Sequence, residues 1–460
     1  MGGKTCAFVT LGCKVNQYDT EAIREQVLRL GYREVPAGQP ADVYVVNTCT
    51  VTSISDSKGR KLIRRVARQN RNAQIVVTGC SVDSDPDLAA KLRDCGNVIL
   101  VRNDAKRAIA TLLQNTLLQN GDSHRFSGAC PNSKNVGSPD CPDESPQHEN
   151  GACAYSWNTW DAGISRFEGH TRAFIKIEDG CRNYCAYCIV PFVRGPVRSR
   201  PVQSIVDEAR RLADGGFREI VLTGIHVGAY GQDGIGGDLA DVVAALDQIE
   251  GIHRLRLSSI EAMEVTERLI GLAAGSRLCP HFHLPLQSGS DAVLARMNRR
   301  CTVREFMSVI ERIEKRIPGA SYTTDVLLGF PGETEDDYRC TEQVCMEVGF
   351  SRTHIFPYSE RPGTAAAAMS GKCPSEVIAD RKNRMTVLAR KTALSYKNKF
   401  LGCDAEVLVE GERDVSGKLC GYTDRYIRVL FDGPDALQGE LATVTLEEAR
   451  ADTMLGRHKG

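Results

Sequence analysis

The stretch RAFIKIEDGCRNYCAYC, Arg172–Cys188, joins an apolar run to three cysteines spaced C-x3-C-x2-C. Arg172–Glu178 reads as a strand, and the cysteines follow it directly, on a turn that opens with Asp179-Gly180. Five further runs have the same character: EIVLTG (Glu219–Gly224), RLRLSSI (Arg254–Ile260), HFHLPL (His281–Leu286), TTDVLLG (Thr323–Gly329) and RTHIFPY (Arg352–Tyr358). Helix-like segments separate them, so the chain from about Phe167 to Leu394 predicts six β/α units. Such units close into a barrel or a partial one, with chemistry at the carboxyl ends of the strands. An open doubly wound sheet is the alternative.

Working outward, four apolar runs precede this unit: CAFVTLG (Cys6–Gly12), VYVVNTC (Val43–Cys49), IVVTGC (Ile75–Cys80) and VILVRN (Val98–Asn103). They alternate with helical patterns and predict a parallel α/β sheet. Between the two units, Asn120–Gly151 is dominated by Gly, Pro, Ser, Asn and Asp, a composition that cannot bury a core. Cys130, Cys141 and Cys153 in or beside it read as incidental thiols. After Ala405 the pattern shifts to short alternating strands broken by Gly and Pro, as in a small antiparallel barrel of OB-like type. The expected class is therefore α/β, with an N-terminal parallel α/β sheet domain, a partial (β/α)6 barrel and a small C-terminal antiparallel β-barrel. The expected boundaries are 1–114, a polar linker over 115–166, 167–394, 395–452 and a tail over 453–460.

No run approaches the roughly 18 apolar residues of a membrane span and the N-terminus lacks a signal-peptide core, which predicts a cytoplasmic protein with no membrane contact. In such a chain eighteen cysteines argue for metal or redox chemistry over disulfides. Basic and acidic residues balance at 58 each, so nucleic-acid binding would rest on local patches.

Cys181, Cys185 and Cys188 supply three thiolates. Structural zinc takes four protein ligands, and the chain holds no second C-x2-C pair, so a zinc knuckle would need a distant His or Cys to complete it. An iron–sulfur cluster can be held on three irons, leaving the fourth open to a small-molecule ligand. In the N-terminal unit Cys13, Cys49 and Cys80 stand at equivalent places after three consecutive strands. The carboxyl ends of parallel strands share one edge, so these three can meet as a second cluster site.

Ser57–Arg71 carries seven basic residues and no acidic one. On a helix Lys58, Lys61, Arg65 and Arg68 share one face, which suits phosphate contact. Arg194, Arg198 and Arg200, in RGPVRSRP after the first cysteine loop, are available for a carboxylate or phosphates.

LGCKVNQYDTE, VVNTCTVT, DGCRNYCAYCIVPFVRGPVRSR, LTGIHVGAYG, SSIEA, HLPLQSGS, TTDVLLGFPGET and FPYSERPGT together resemble the radical-SAM methylthiotransferase family over nearly the whole chain. The polar insert around Asn120–Gly151 is longer than that family's pattern. The resemblance implies two [4Fe-4S] clusters and S-adenosyl-L-methionine, with Cys181, Cys185 and Cys188 on the radical-generating cluster and Cys13, Cys49 and Cys80 on an auxiliary one. It implies that Tyr187, just before the last cysteine, belongs to the cofactor site and that the C-terminal barrel is a TRAM domain; Gly224, Ser258, Ser259, Gln287, Gly329 and Glu333, at or just after the ends of the second to fifth strands, share one rim with that site and are expected to contact the nucleoside cofactor.

The branch most resembled adds a methylthio group at C2 of N6-threonylcarbamoyladenosine, at position 37 of tRNA. Related branches act on isopentenyladenosine in tRNA or on a ribosomal-protein aspartate. The implied partners are a tRNA anticodon stem-loop, an electron donor and a sulfur source, with the enzyme a monomer. A non-catalytic, metal-stabilised RNA-binding protein is the competing class.

Overall fold

The structure, a computed structural model, describes residues 4–118 and 163–460. Most of the expected linker, with Cys130, Cys141 and Cys153, lies outside the described residues. Among the described residues no helix is long and apolar enough to cross a membrane.

The N-terminal unit is a parallel sheet of β1 (Thr5–Thr10), β2 (Arg33–Glu34), β3 (Val43–Thr48), β4 (Gln74–Gly79) and β5 (Val98–Leu100), in the order β2-β1-β3-β4-β5. Every residue of β3 is buried, as a central strand covered on both faces requires. On one face Tyr44, Val46, Ile75 and Val77 pack with Ile63 and Val66 of α2 (Ser53–Gln69). On the other, Val45 and Val76 pack with Ile23 and Val27 of α1 (Lys14–Arg29).

In the second unit β6 (Arg172–Lys176) leads into a short antiparallel pair, β7 (Glu178–Asp179) and β8 (Arg198–Ser199). The parallel strands continue as β9 (Glu219–Thr223), β10 (Arg254–Leu257), β11 (His281–His283), β12 (Ser321–Leu328) and β13 (Arg352–Pro357). They form two three-stranded sheets, joined between β10 and β11 by the bridges Leu255–Leu278 and Ser259–His283, so all six β/α strands expected are present in one curved row. Helices cover the outer face. The helix at Val202–Asp214 buries Ile205, Ala209 and Leu212 while Arg210 stays exposed, and the one at Val303–Arg316 buries Phe306, Val309, Ile310 and Ile313 behind a Thr302–Glu305 capping box. Each of the larger of these side chains contributes about 1.5–3 kcal/mol by leaving water.

The helix Ser375–Asn398 buries Met385 in the barrel core and Tyr396 in the C-terminal core, so the expected boundary at 394 falls inside one continuous helix. The C-terminal barrel is closed and consists of β14 (Asp404–Val409), β15 (Leu419–Thr423), β16 (Arg428–Asp432), β17 (Leu441–Ala449) and β18 (Met454–His458). β18 occupies what was expected to be a tail. It pairs parallel with β16 and antiparallel with β17, and Met454 is fully buried in the barrel. Pairing, not an apolar pattern, recruits it.

The small barrel stoppers the amino-terminal mouth of the larger one. Arg254 donates to the carbonyls of Tyr422 (3.0 Å) and Glu406 (2.7 Å), and Arg256 to those of Asp424 (2.8 Å) and Thr423 (3.2 Å). Tyr422 lies under the Arg172 guanidinium at 4.5 Å, and Tyr426 stands 5.0 Å from the His281 ring.

Candidate cluster sites and the cleft between them

The first cysteine loop is fixed by backbone bonds on all sides. Cys181 N–H donates to Gly195 O (3.0 Å), Ala186 N–H to Met297 O (2.9 Å), Cys188 N–H to Cys185 O (2.9 Å), and Ala366 N–H to Ala186 O (2.8 Å). The loop needs Tyr184 at φ 46°, and the Asn298 amide holds that turn by donating to the carbonyls of Asn183 and Tyr184.

Two ion pairs absent from the sequence reading, Arg299 with Glu261 and His226 with Glu264, stand beside the thiols. Arg299 Nη1 lies 3.7 Å from Cys185 Sγ and pairs through both amino groups with Glu261. His226 Nδ1 is 3.7 Å from Cys181 Sγ, with its Nε2 2.7 Å from Glu264. Burial opposes the His226 charge, but Cys181 and Glu264 raise its pKa to about 10. Burial also pushes Cys188 up to about 12 and raises Cys185, with the neighbouring thiols adding to both and Arg299 opposing.

The second triad forms as the sheet topology requires. Cys13 caps α1, Cys49 follows β3, and Cys80 opens a short helix after β4. A Cβ at Gly12 would lie 2.9 Å from Cys49 Sγ, which measures how closely the first loop approaches the second. Burial lifts Cys49 to about 11, and both Cys80 and Cys13 are near enough to raise it further.

Gly79, at φ 102°, positions Cys80, because a Cβ there would meet Thr48 O at 2.1 Å. Gly79→Ala is therefore expected to destabilise the fold by more than about 2 kcal/mol and to lower iron bound at the N-terminal site. Urea unfolding and iron analysis of the purified variant check this.

Does either triad suit the group it was assigned? A tetrahedral zinc–thiolate site, with bonds of about 2.3 Å, needs sulfurs about 3.8 Å apart. Among the described residues the one set of three potential ligands with all atoms within 4.8 Å of one another is His283, Asp325 and His354. Both cysteine triads are wider, as ligands spread round a multi-iron cluster must be. The raised pKa values of Cys49, Cys185 and Cys188 fit too, since cationic iron removes the protons that burial retains.

The helix that Cys80 opens packs against the short helix Val190–Arg194, which follows the first cysteine loop. Arg194, at the end of that helix, donates to Asn16 Oδ1 (2.6 Å), Asp19 (3.3 Å) and Asp179 (3.2 Å). Lys176 and Lys106 complete the buried set through Asp19, at 2.9 and 2.8 Å. Burial works against ionising Asp179, but Lys176 and Arg194 hold its pKa down to about 2. On the far side Arg361 pairs with Asp56 (2.7 Å) and with Thr50, one residue beyond Cys49.

These contacts correct the expectation for the arginines. Arg194 is 4 % exposed and engaged by Asn16, Asp19 and Asp179, and Arg200 is fully buried on Glu208 (2.6 Å) and Tyr18 (3.1 Å). Neither can reach a phosphate. Arg198 is half-buried and donates to Arg194 O. By contrast Lys58, Lys61, Arg65 and Arg68 are all exposed on α2, while Ile63 and Val66 are buried.

The expected nucleoside contacts are mixed. Ser258 is buried and its hydroxyl has no hydrogen-bond partner among the described residues, while Ser259, exposed, and Gln287, half-buried, form backbone bridges to His283 and Val326. Gly224 packs against the carboxylate of Glu178, which accepts the His226 N–H and which burial raises to about 8. Glu333 spends Oε2 on Gly329 N–H and Arg381, both at 2.7 Å, leaving Oε1 unpaired; Gly329 itself packs on Ile378. Tyr187 sets its ring edge-on to Phe330 at 6.5 Å.

A family model described as the radical SAM superfamily matches residues 175–342, and one described as the uncharacterized protein family UPF0004 matches residues 5–100. The chain is 37 % identical over 454 residues to the threonylcarbamoyladenosine tRNA methylthiotransferase MtaB of Bacillus subtilis, covering 97 % of this chain and 94 % of the relative. It is 35 % identical to the protein of that name from Thermotoga maritima, covering 94 % and 92 %, and 32 % identical to the tRNA-2-methylthio-N(6)-dimethylallyladenosine synthase of Pelotomaculum thermopropionicum, covering 98 % and 97 %. Among solved structures, the radical S-adenosylmethionine methyltransferase TsrM from Kitasatospora setae matches with a TM-score of 0.55 at 15 % identity, over 80 % of this chain and 77 % of that one. At that identity it speaks for the fold alone.

Proposed function

The chain belongs to the radical-SAM methylthiotransferase family, and from that premise we propose that it converts N6-threonylcarbamoyladenosine at tRNA position 37 to its 2-methylthio derivative. The observation that carries the proposal is the packing of the helix that Cys80 opens against the short helix Val190–Arg194, which follows the first cysteine loop. The two cluster sites then serve one substrate, as a reaction that both activates a carbon and delivers sulfur to it needs.

In this reading Cys181, Cys185 and Cys188 hold the cluster that binds S-adenosyl-L-methionine, and Cys13, Cys49 and Cys80 hold the auxiliary cluster. When bound, the clusters and S-adenosyl-L-methionine supply the radical and the sulfur. The chain's own residues position and shield. Arg299 and His226 place positive charge beside Cys185 and Cys181, offsetting the excess of thiolate charge. The Asp19–Arg194–Asp179 set keeps the two units in fixed register, which matters because a misplacement of about 1 Å costs on the order of a hundredfold in rate.

RNA is met by the exposed cations of α2 and by Tyr184 and Phe192, which are 53 % and 62 % exposed and stand edge-to-face at 5.9 Å beside the cysteine loop. The anticodon stem-loop is the segment bound, the C-terminal barrel serves as the TRAM domain, and the monomer is the working form. Residues 1–114, 167–394 and 395–452 are the three functional units, with the helix Ser375–Asn398 running through the last boundary and β18 added to the last unit.

Reconstituted enzyme with S-adenosyl-L-methionine, reductant and a sulfur source is expected to methylthiolate an anticodon stem-loop carrying threonylcarbamoyladenosine. Mass spectrometry of the digested RNA reads the product. Conversion of the isopentenyl substrate in its place would move the assignment to the neighbouring branch.

A further inference from the structure

Lys14 immediately follows Cys13, yet its side chain turns away from the N-terminal sheet and toward the inner face of the larger barrel. Its ammonium lies 6.0 Å from the centre of the Phe174 ring and makes no hydrogen bond or ion pair among the described residues. The groups it senses there include Asp325, His354 and His281.

On the facing strands His283, Asp325 and His354 converge. His283 is held by Thr323 through Nδ1 at 2.9 Å, and its Nε2 points at Asp325, 3.3 Å away. His354 pairs with Asp325 across β12 and β13, and Phe356, 40 % exposed, continues the same face, its ring stacked on His354 at a 28° angle. The Asp325 carboxylate is one-quarter exposed, so this group opens to solvent.

Three mutually close ligand atoms could suggest a metal ion. The surroundings oppose one, because Lys14 and Arg352 add positive charge at His354, and Arg172 and Arg256 add more at Lys14. A cation without a hydrogen-bonded partner among the described residues, beside imidazoles and Asp325 and with the more distant carboxylate of Glu219 already engaged by Arg256 at 2.7 Å, instead suits a ligand that carries an anion together with neutral donors.

The geometry points to Lys14, with His283, Asp325 and His354, as the pocket that recognises the threonyl arm of the substrate base and so sets specificity for it. This rests on the reading that threonylcarbamoyladenosine is the substrate. The arm offers a carboxylate to Lys14, and a hydroxyl and a ureido N–H to Asp325 and the imidazoles. An isopentenyl arm offers none of these, and would leave the ammonium and the carboxylate desolvated and unpaired. The placement is also apt, since the arm leaves the base only a few bonds from the C2 carbon that must face the auxiliary cluster, to which Lys14 is covalently next.

The test is a charge cycle on anticodon stem-loops bearing either threonylcarbamoyladenosine or its neutral threoninamide analogue, with wild type, Lys14→Met and Lys14→Arg. Product formation and RNA binding by fluorescence anisotropy are both read, and iron per chain is measured to verify cluster loading. Wild type is expected to prefer the acid over the amide by about 30-fold, Lys14→Arg to keep most of that preference, and Lys14→Met to lose it while using the amide about as well as wild type does. A Lys14→Met enzyme that retains the preference, or one with full iron that loses both substrates equally, overturns the assignment of Lys14 alone. A wild type that leaves threonylcarbamoyladenosine unmodified overturns the substrate reading and this inference with it.

Discussion

Cys185→Ala is expected to abolish reductive cleavage of S-adenosyl-L-methionine, by three orders of magnitude or more (on the order of a nucleophile knockout in other enzymes), while leaving the fold intact. The loop around Cys185 is held by backbone bonds from Ala186 to Met297 and from Ala366 to Ala186, none of which involves the thiol. What the substitution removes is one of three ligands, together with the sulfur that faces Arg299. Arg299 keeps its carboxylate partner Glu261, so no buried charge is stranded and the urea midpoint should barely move. 5′-Deoxyadenosine production measured against wild type checks the first expectation. Equal production by the two proteins would remove this triad from the chemistry.

Cys49→Ala is expected to separate the two half-reactions. Cleavage of S-adenosyl-L-methionine should persist, methylthiolated RNA should fall below detection, and bound iron should drop from about eight to about four per chain. Cys49 is buried, and the Gly12 backbone approaches its side chain closely. Losing both activities together, with eight irons retained, would mean that the second triad does not hold a cluster of its own.

The positions of six cysteines were legible because they mark the ends of strands whose apolar character is plain in the chain. The same period gave both parallel sheets, since VYVVNT and EIVLT can be nothing but buried strands. Charge was legible only as charge. Nothing in RGPVRSRP says that the acceptors of Arg194 are Asp19 and Asp179, 175 and 15 residues away, so an internal tie read as a phosphate ligand. β18 was missed for a related reason: MLGRH has no alternation, and becomes a strand only because β16 and β17 present free edges to it. His226, Arg299 and Glu261 come from three separate loops, and only tertiary folding brings them to the thiols. A Glu261–Arg299 pair 38 residues apart leaves no periodic trace.

The stopper at the base of the larger barrel bears on how truncations should be interpreted. Removing residues 404–460 to test the small barrel for a role in RNA binding would also strip the carbonyl acceptors from Arg254 and Arg256 and the aromatic covers from Arg172 and His281. The barrel would then be open at both ends, admitting water from below to a reaction that must exclude it. A truncated enzyme that burned S-adenosyl-L-methionine without modifying RNA would therefore report a leaking vessel as readily as a lost grip. Point substitutions on the exterior of the small barrel, leaving Tyr422 and Tyr426 in place, keep the two effects apart.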